Sequence, residues 1–254
     1  MKSDYLELFG KKVWVVRVEV SEAPDGPTLV FLHDALGCAA KWKAYPEKVC
    51  QRLGMNGIVY DRWGHGKSDP MKEERLPDYL EKEALQVLPE LLAACNITQP
   101  VLYGYSDGGS IALIYAAHHQ PLAMVTAAAH VKVEDITLEG VKQVTQVENL
   151  AMRLAKYHGT KAAQLMEDWP RIWQAEERRQ WNIESLLPQI ACPTLVVQGA
   201  LDEFATPQHM HDIAQQIGPH AEALLVDGVG HELHRDAEEQ MLEAATRFIA
   251  KALD

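Results

Sequence analysis

Cysteine is scarce in this chain of 254 residues. The four present are Cys38, Cys50, Cys95 and Cys192. None forms a C-x-x-C pair or stands at metal-ligand spacing with a histidine. The pattern fits reduced thiols in a cytoplasmic protein, not a disulfide framework. Basic residues are also in short supply: 24 Lys and Arg face 36 Asp and Glu, a net charge of −12. Nucleic acids and anionic membrane surfaces need a basic face, so neither is an expected partner. No apolar run reaches the ~20 residues of a membrane span. The opening "MKSDYLELFGKK" has no apolar run that would make a secretory signal. No G-x-G-x-x-G follows an early strand, so a nicotinamide cofactor is not expected. "GKS" at 66–68 resembles the end of a phosphate-binding loop, but the motif's first glycine would fall on Asp61, and the segment reads as a structural turn. Of the eleven histidines, the close pairs are His118–His119 and His209 with His211. Residues one or two apart on a helix do not face each other, so no metal is expected.

What is present is enough apolar residue, 47%, for one sizeable packed domain, or one domain with an insertion. The chain opens as a hairpin, "YLELF" and "VWVVRVEV" around a turn at Gly10-Lys11, followed by a turn cluster "SEAPDGP". Strands of buried type follow at "TLVFLH", "GIVY", "VLY" (Val101 to Tyr103), "LAMVTAAAH", "CPTLVVQGA" and "AEALLVDG". Helical spacing appears at 40–53, 79–95 (with Pro89 as a kink), 206–217 and 238–252. Alternating strands and helices predict a mostly parallel sheet covered on both faces. Residues 131–188 break the alternation, with helical patterns and no strand. The expected division is a core of 1–130 and 189–254 and a helical cap of 131–188 over the carboxyl ends of the strands, where open α/β sheets bind ligands.

The pentapeptide "GYSDG", Gly104 to Gly108, joins a strand to a helix through one serine. Glycines on either side let the two elements approach closely. Ser106 then projects from the turn beside the unpaired N–H groups of a helix start. This is the G-x-S-x-G nucleophile elbow, although a Ser N-cap after a glycine turn gives the same five letters. A serine nucleophile needs a base, and the base needs a carboxylate to orient it. His231 follows the last strand and Asp202 follows the strand before it. The chain order Ser106, Asp202, His231 is that of the α/β-hydrolase arrangement. Glu203, Asp227 and His234 compete for these roles. The loop "HDALG" after "TLVFLH" offers the Ala35 N–H as one oxyanion donor, and the Asp107 N–H is the other.

"FLHDALG", "YDRWGHGKSD", "GYSDGG", "GALDEFATP" and "VGHELH" together resemble the α/β-hydrolase fold over nearly the whole chain. The Ser-Asp-Gly-Gly elbow and the Gly-His-x-Leu-His ending are most similar to valacyclovir hydrolase-like (biphenyl hydrolase-like) esterases. The family usually has His-Gly where this chain has His33-Asp34, and aspartate tolerates left-handed backbone better than most residues. The resemblance implies an eight-stranded, mostly parallel sheet flanked by helices. It also implies a cofactor-free serine esterase acting on small to medium carboxylic esters or thioesters. Amino-acid ester hydrolysis, amide or carbon–carbon bond hydrolysis, perhydrolysis, and a ligand receptor with little turnover are the alternatives. Expected substrate-side residues are Leu36, His130, Trp169, Trp173 and Asp107. The Asp107 carboxylate either caps the helix it begins or pairs with a substrate ammonium.

Overall fold

A computed structural model describes residues 1–23 and 26–254. Pro24 and Asp25 of the expected "SEAPDGP" turn lie outside the described residues. The strands are β1 Lys2–Leu8, β2 Lys11–Val18, β3 Thr28–Leu32, β4 Asn56–Tyr60, β5 Pro100–Tyr105, β6 Ala123–Ala127, β7 Thr194–Gly199 and β8 Ala221–Val226. They form one sheet in the order β1-β2-β4-β3-β5-β6-β7-β8. The β1–β2 and β2–β4 pairs are antiparallel and the rest parallel. The hairpin turn falls on Phe9 and Gly10, one residue earlier than expected. Both have positive φ, 50° and 70°, as a primed two-residue turn requires.

The helices are α1 Tyr45–Leu53, α2 Tyr79–Lys82, α3 Leu88–Ala94, α4 Asp107–His118, α5 Asp135–Thr145, α6 Leu150–His158, α7 Ala162–Trp173, α8 Pro207–Ile217, α9 Leu233–Asp236 and α10 Glu238–Leu253. Alternate side chains of the central strands feed two cores. Val30, Leu32 and Leu102 pack with α3, α4 and α8 on one face. Leu29, Phe31, Val101 and Tyr103 pack with α1 and α10 on the other. Burial on both faces is why these strands read as continuous apolar runs.

Two expected helices are interrupted. The 40–53 segment breaks at Lys43, which has φ 53°, and α1 restarts with Pro46 in its first turn. The 79–95 segment passes through a π-helical turn, Glu83–Val87, before Pro89 enters the first turn of α3. Proline lacks an N–H and crowds the carbonyl four residues earlier, and a wider turn removes both conflicts without ending the helix.

Between β6 and β7 lie α5, α6 and α7. Among the described residues, the sole β contact in this stretch is a bridge between Lys132 and Asn182. A small core of Leu36, Leu154, Ala162 and Leu165 joins these helices to the loop after β3. Anchors at the ends of two of its helices help to hold the segment down. At the start of α5, Glu134 accepts the Thr206 N–H and hydroxyl at 3.0 and 2.8 Å, and Thr137 Oγ1 donates to the Phe204 carbonyl at 2.7 Å. At the end of α6, His158 Nδ1 accepts the Gly66 N–H at 2.9 Å and its Nε2 donates to the Leu36 carbonyl at 3.2 Å.

Candidate active site

The elbow after β5 is tight. A Cβ on Gly104 would fall 2.3 Å from the Gly108 carbonyl oxygen, and one on Gly108 would fall 1.9 Å from that of Leu32. Only glycine fits either position. Ser106 between them has φ 54° and ψ −120°, a strained conformation for a non-glycine residue. The strain aims Oγ out of the sheet toward the loop after β8.

Ser106 Oγ lies 3.0 Å from His231 Nε2. His231 Nδ1 lies 3.0 and 2.9 Å from the two oxygens of Asp202. A carboxylate can only accept, so the proton sits on Nδ1 and Nε2 is left to accept from the serine hydroxyl. Burial favours the neutral ring, but the Asp202 charge, with Glu203 and Glu232 behind it, outweighs burial and lifts His231 above the usual imidazole value. Burial pushes the Asp202 carboxyl up, and the His231 contact more than reverses this, leaving it below the usual range. Asp202 also accepts the Phe204 N–H at 2.8 Å and a hydrogen bond from the Gln198 amide.

The competitors stand elsewhere. Glu203 accepts the main-chain N–H of His231 at 3.2 Å, so it braces the loop and not the ring. His234 lies in α9, with its ring 4.8 Å from that of Trp42. Asp227 directly follows β8.

The loop after β3 borders the same cleft as the serine. Among the described residues, the Ala35 N–H meets no main-chain acceptor. The Asp107 N–H opens α4 and has no intrahelical acceptor. Asp34 is absent from the residues with positive φ, so aspartate in place of glycine costs this loop no left-handed strain. Burial pushes the Asp34 carboxyl up, but Lys41, 3.5 Å away, prevails and holds it at about 2. "GHGKSD" is a structural turn: Asp61 accepts the Lys67 and Ala39 N–H groups at 2.7 and 2.6 Å.

Ser106 and His231 open onto a cleft of about 700 Å³. Leu36, His130, Trp169 and Trp173 line it, and so do Val141, Val144, Leu150 and Leu154 of the inserted helices. His130 Nε2 donates to the Phe204 carbonyl at 3.2 Å, and burial drives its ring down to about 3, so it is a neutral wall. Trp181 turns away from the cleft, stacking edge-on with Trp173 and lying 4.0 Å beneath the Arg178 guanidinium.

The Asp107 side chain borders the cleft, and its carboxylate already has partners within the protein. It is buried, accepts the Tyr79 hydroxyl at 2.7 Å, and lies 3.5 Å from Arg62 Nη1. Tyr79, Arg62 and the Glu203 brace were not singled out by the sequence reading. Arg62 lies inside the "YDRWGHGKSD" run, and that position was the available signal. Tyr79 shows only as one residue of an amphipathic pattern.

Residues 29–244 match the Alpha/beta hydrolase family, and the chain belongs to it. Its relatives include a Mus musculus protein, serine hydrolase BPHL, 31% identical over 186 residues, or 70% of this chain and 63% of that protein. The Homo sapiens serine hydrolase BPHL is 28% identical over 201 residues, covering 76% and 68%. The chain thus spans just under two thirds of the mouse relative's length. An esterase structure from Thermogutta terrifontis superposes with a TM-score of 0.74 at 18% identity, covering 100% of both chains. The fold is therefore the α/β-hydrolase fold, with serine hydrolases among the chain's relatives.

Proposed function

We propose that this protein is a serine esterase that cleaves small to medium carboxylic esters or thioesters through an acyl-enzyme. The observation that carries the proposal is the 3.0 Å contact between Ser106 Oγ and His231 Nε2, with Asp202 on the far side of the ring. Ser106 Oγ attacks the acyl carbon while its proton passes to His231 Nε2. The carbonyl electron pair moves onto oxygen, where the Ala35 and Asp107 N–H groups receive it. The tetrahedral adduct then expels the leaving oxygen or sulfur, which takes the proton from Nε2. Water gives a proton to the same nitrogen, attacks the acyl-enzyme, and releases the acid as Ser106 recovers its hydrogen. Asp202 keeps the Nδ1 tautomer throughout and stabilises the ring while it is charged. The test is a panel of p-nitrophenyl esters: many turnovers per chain support the enzyme, and one stoichiometric burst supports a receptor.

The pH dependence follows from the direction of the His231 shift. The base must be neutral, and its value in the free protein lies above 6.5. Activity, as kcat/KM, is expected to be fully developed on the alkaline side and to fall with a midpoint above 6.5 as the pH drops. A profile flat through that region argues against His231.

The helices between β6 and β7 form the acyl side of the cleft in this reading. Trp169→Ala is expected to change turnover of the acetate ester by less than about threefold and the ratio of octanoate to acetate by about tenfold. Initial rates across a chain-length series read this directly. Equal losses on every ester, with a lower melting temperature, mark Trp169 as a packing residue instead.

A further inference from the structure

A buried carboxylate beside a nucleophile is an electrostatic difficulty, because it opposes the negative charge of the tetrahedral adduct. Buried charges persist only when paired and hydrogen-bonded. Arg62 supplies the ion pair for Asp107, its Nη1 lying 3.5 Å from the carboxylate without a hydrogen bond. Tyr79 supplies the hydrogen bond, and both charged side chains are almost wholly shielded from solvent. The same guanidinium also reaches the other half of the site. Its Nη2 donates to the Asp34 carbonyl at 2.7 Å and lies 3.3 Å from the His33 carbonyl. His33 Nδ1 donates to that same Asp34 oxygen at 2.8 Å, and its Nε2 accepts the Arg62 main-chain N–H at 3.1 Å.

The Asp34 carbonyl belongs to the peptide unit whose other end is the Ala35 N–H. A trans peptide is planar, with its C=O and N–H pointing in opposite directions. Gripping the oxygen therefore aims the N–H. At the other donor, the Asp107 N–H shares its peptide unit with the Ser106 carbonyl, which accepts from Gly109 and Ser110 at 2.8 and 3.1 Å. The Asp107 side chain is held by Arg62 and by Tyr79, whose hydroxyl in turn accepts the Trp173 Nε1–H at 3.0 Å.

We propose that Arg62 is a positioning residue that holds the two main-chain donors in register, gripping the Ala35 peptide unit through the Asp34 carbonyl and Asp107 through its carboxylate, with Tyr79 as the second clamp. This rests on the reading of Ala35 and Asp107 as the donors to the tetrahedral oxyanion. Lysine keeps the charge at position 62 but lacks the fork that spans both groups. Losing a whole donor costs about 10²–10³ in rate, and a misaimed donor costs less.

The experiment is steady-state kinetics of the purified Arg62→Lys and Tyr79→Phe variants on p-nitrophenyl acetate, with Ser106→Ala alongside. Arg62→Lys is expected to lower kcat by about 10- to 100-fold with KM changed less than about threefold. The acid midpoint of its pH profile should stay at the wild-type position, because His231 and Asp202 are untouched. Tyr79→Phe should show the same split at about 3- to 10-fold, and it serves as the test if Arg62→Lys does not fold. A folded Arg62→Lys with wild-type kcat overturns the inference, as does a loss confined to KM or a shifted acid midpoint. If only Tyr79→Phe folds, wild-type kcat in that variant overturns it. An active Ser106→Ala overturns the esterase reading itself, so the two failures are distinct.

Discussion

Ser106→Ala is expected to lower turnover of p-nitrophenyl acetate by about 10⁴-fold or more while leaving the melting temperature within about two degrees of wild type. The chemical half follows from the lack of any other hydroxyl aligned with His231 Nε2 among the described contacts. The structural half follows from the strain, which lies in the backbone at φ 54° and is imposed by the flanking glycines, not by the serine side chain. Wild-type protein treated with a fluorophosphonate should gain one adduct by intact mass, mapped by peptide sequencing to Ser106. An adduct elsewhere, together with an active Ser106→Ala, removes the serine from the mechanism.

Asp202→Asn carries the second large effect, a fall in kcat of about 10³- to 10⁴-fold near neutral pH. An asparagine can present its NH₂ to Nδ1, which pushes the ring proton to Nε2 and blocks acceptance from Ser106. Glu203→Gln is expected to cost less than about tenfold, because the amide oxygen of glutamine still accepts the His231 main-chain N–H that Glu203 accepts now. Kinetics of the two variants side by side decide the matter. If Glu203→Gln is the more damaging, the orienting carboxylate has been assigned to the wrong neighbour.

The sheet and the meeting of Ser106, Asp202 and His231 were legible because each lies just past a strand whose apolar run is unmistakable. In a parallel sheet, the ends of successive strands converge on one edge, so chain order alone brings the three close. Side-chain direction was not legible. Asp107 looked like a cap or a ligand contact because only its neighbours in sequence were visible. Its partners Arg62 and Tyr79 come from a loop and a helix far back in the chain and meet it only in the folded core. The break at Lys43 was hidden for a different reason. Nothing in "AAKWKAYPEK" except Pro46 marks a helix boundary, and Lys43 has a φ of 53° although lysine has no preference for the left-handed region.

The anchoring of the inserted helices has a consequence for how the selectivity of the proposed esterase can change over generations. α5 is welded to the loop that carries Asp202. Besides the Glu134 and Thr137 contacts, a Cβ on Gly140 would come within 2.5 Å of the Glu203 carbonyl oxygen. Mutations there disturb the base and the substrate wall at once, so selection for a new substrate is penalised through lost catalysis. α6 meets the core mainly through Leu154 and His158, whereas α7 is also tied to it by the Trp173 Nε1–H on the Tyr79 hydroxyl and by Arg171 on the Arg75 carbonyl. The two helices supply Leu150, Leu154, Trp169 and Trp173 to the cleft. Descendants of this chain are therefore expected to diversify first on α6, while α5 and the Trp173 end of α7 stay nearly fixed.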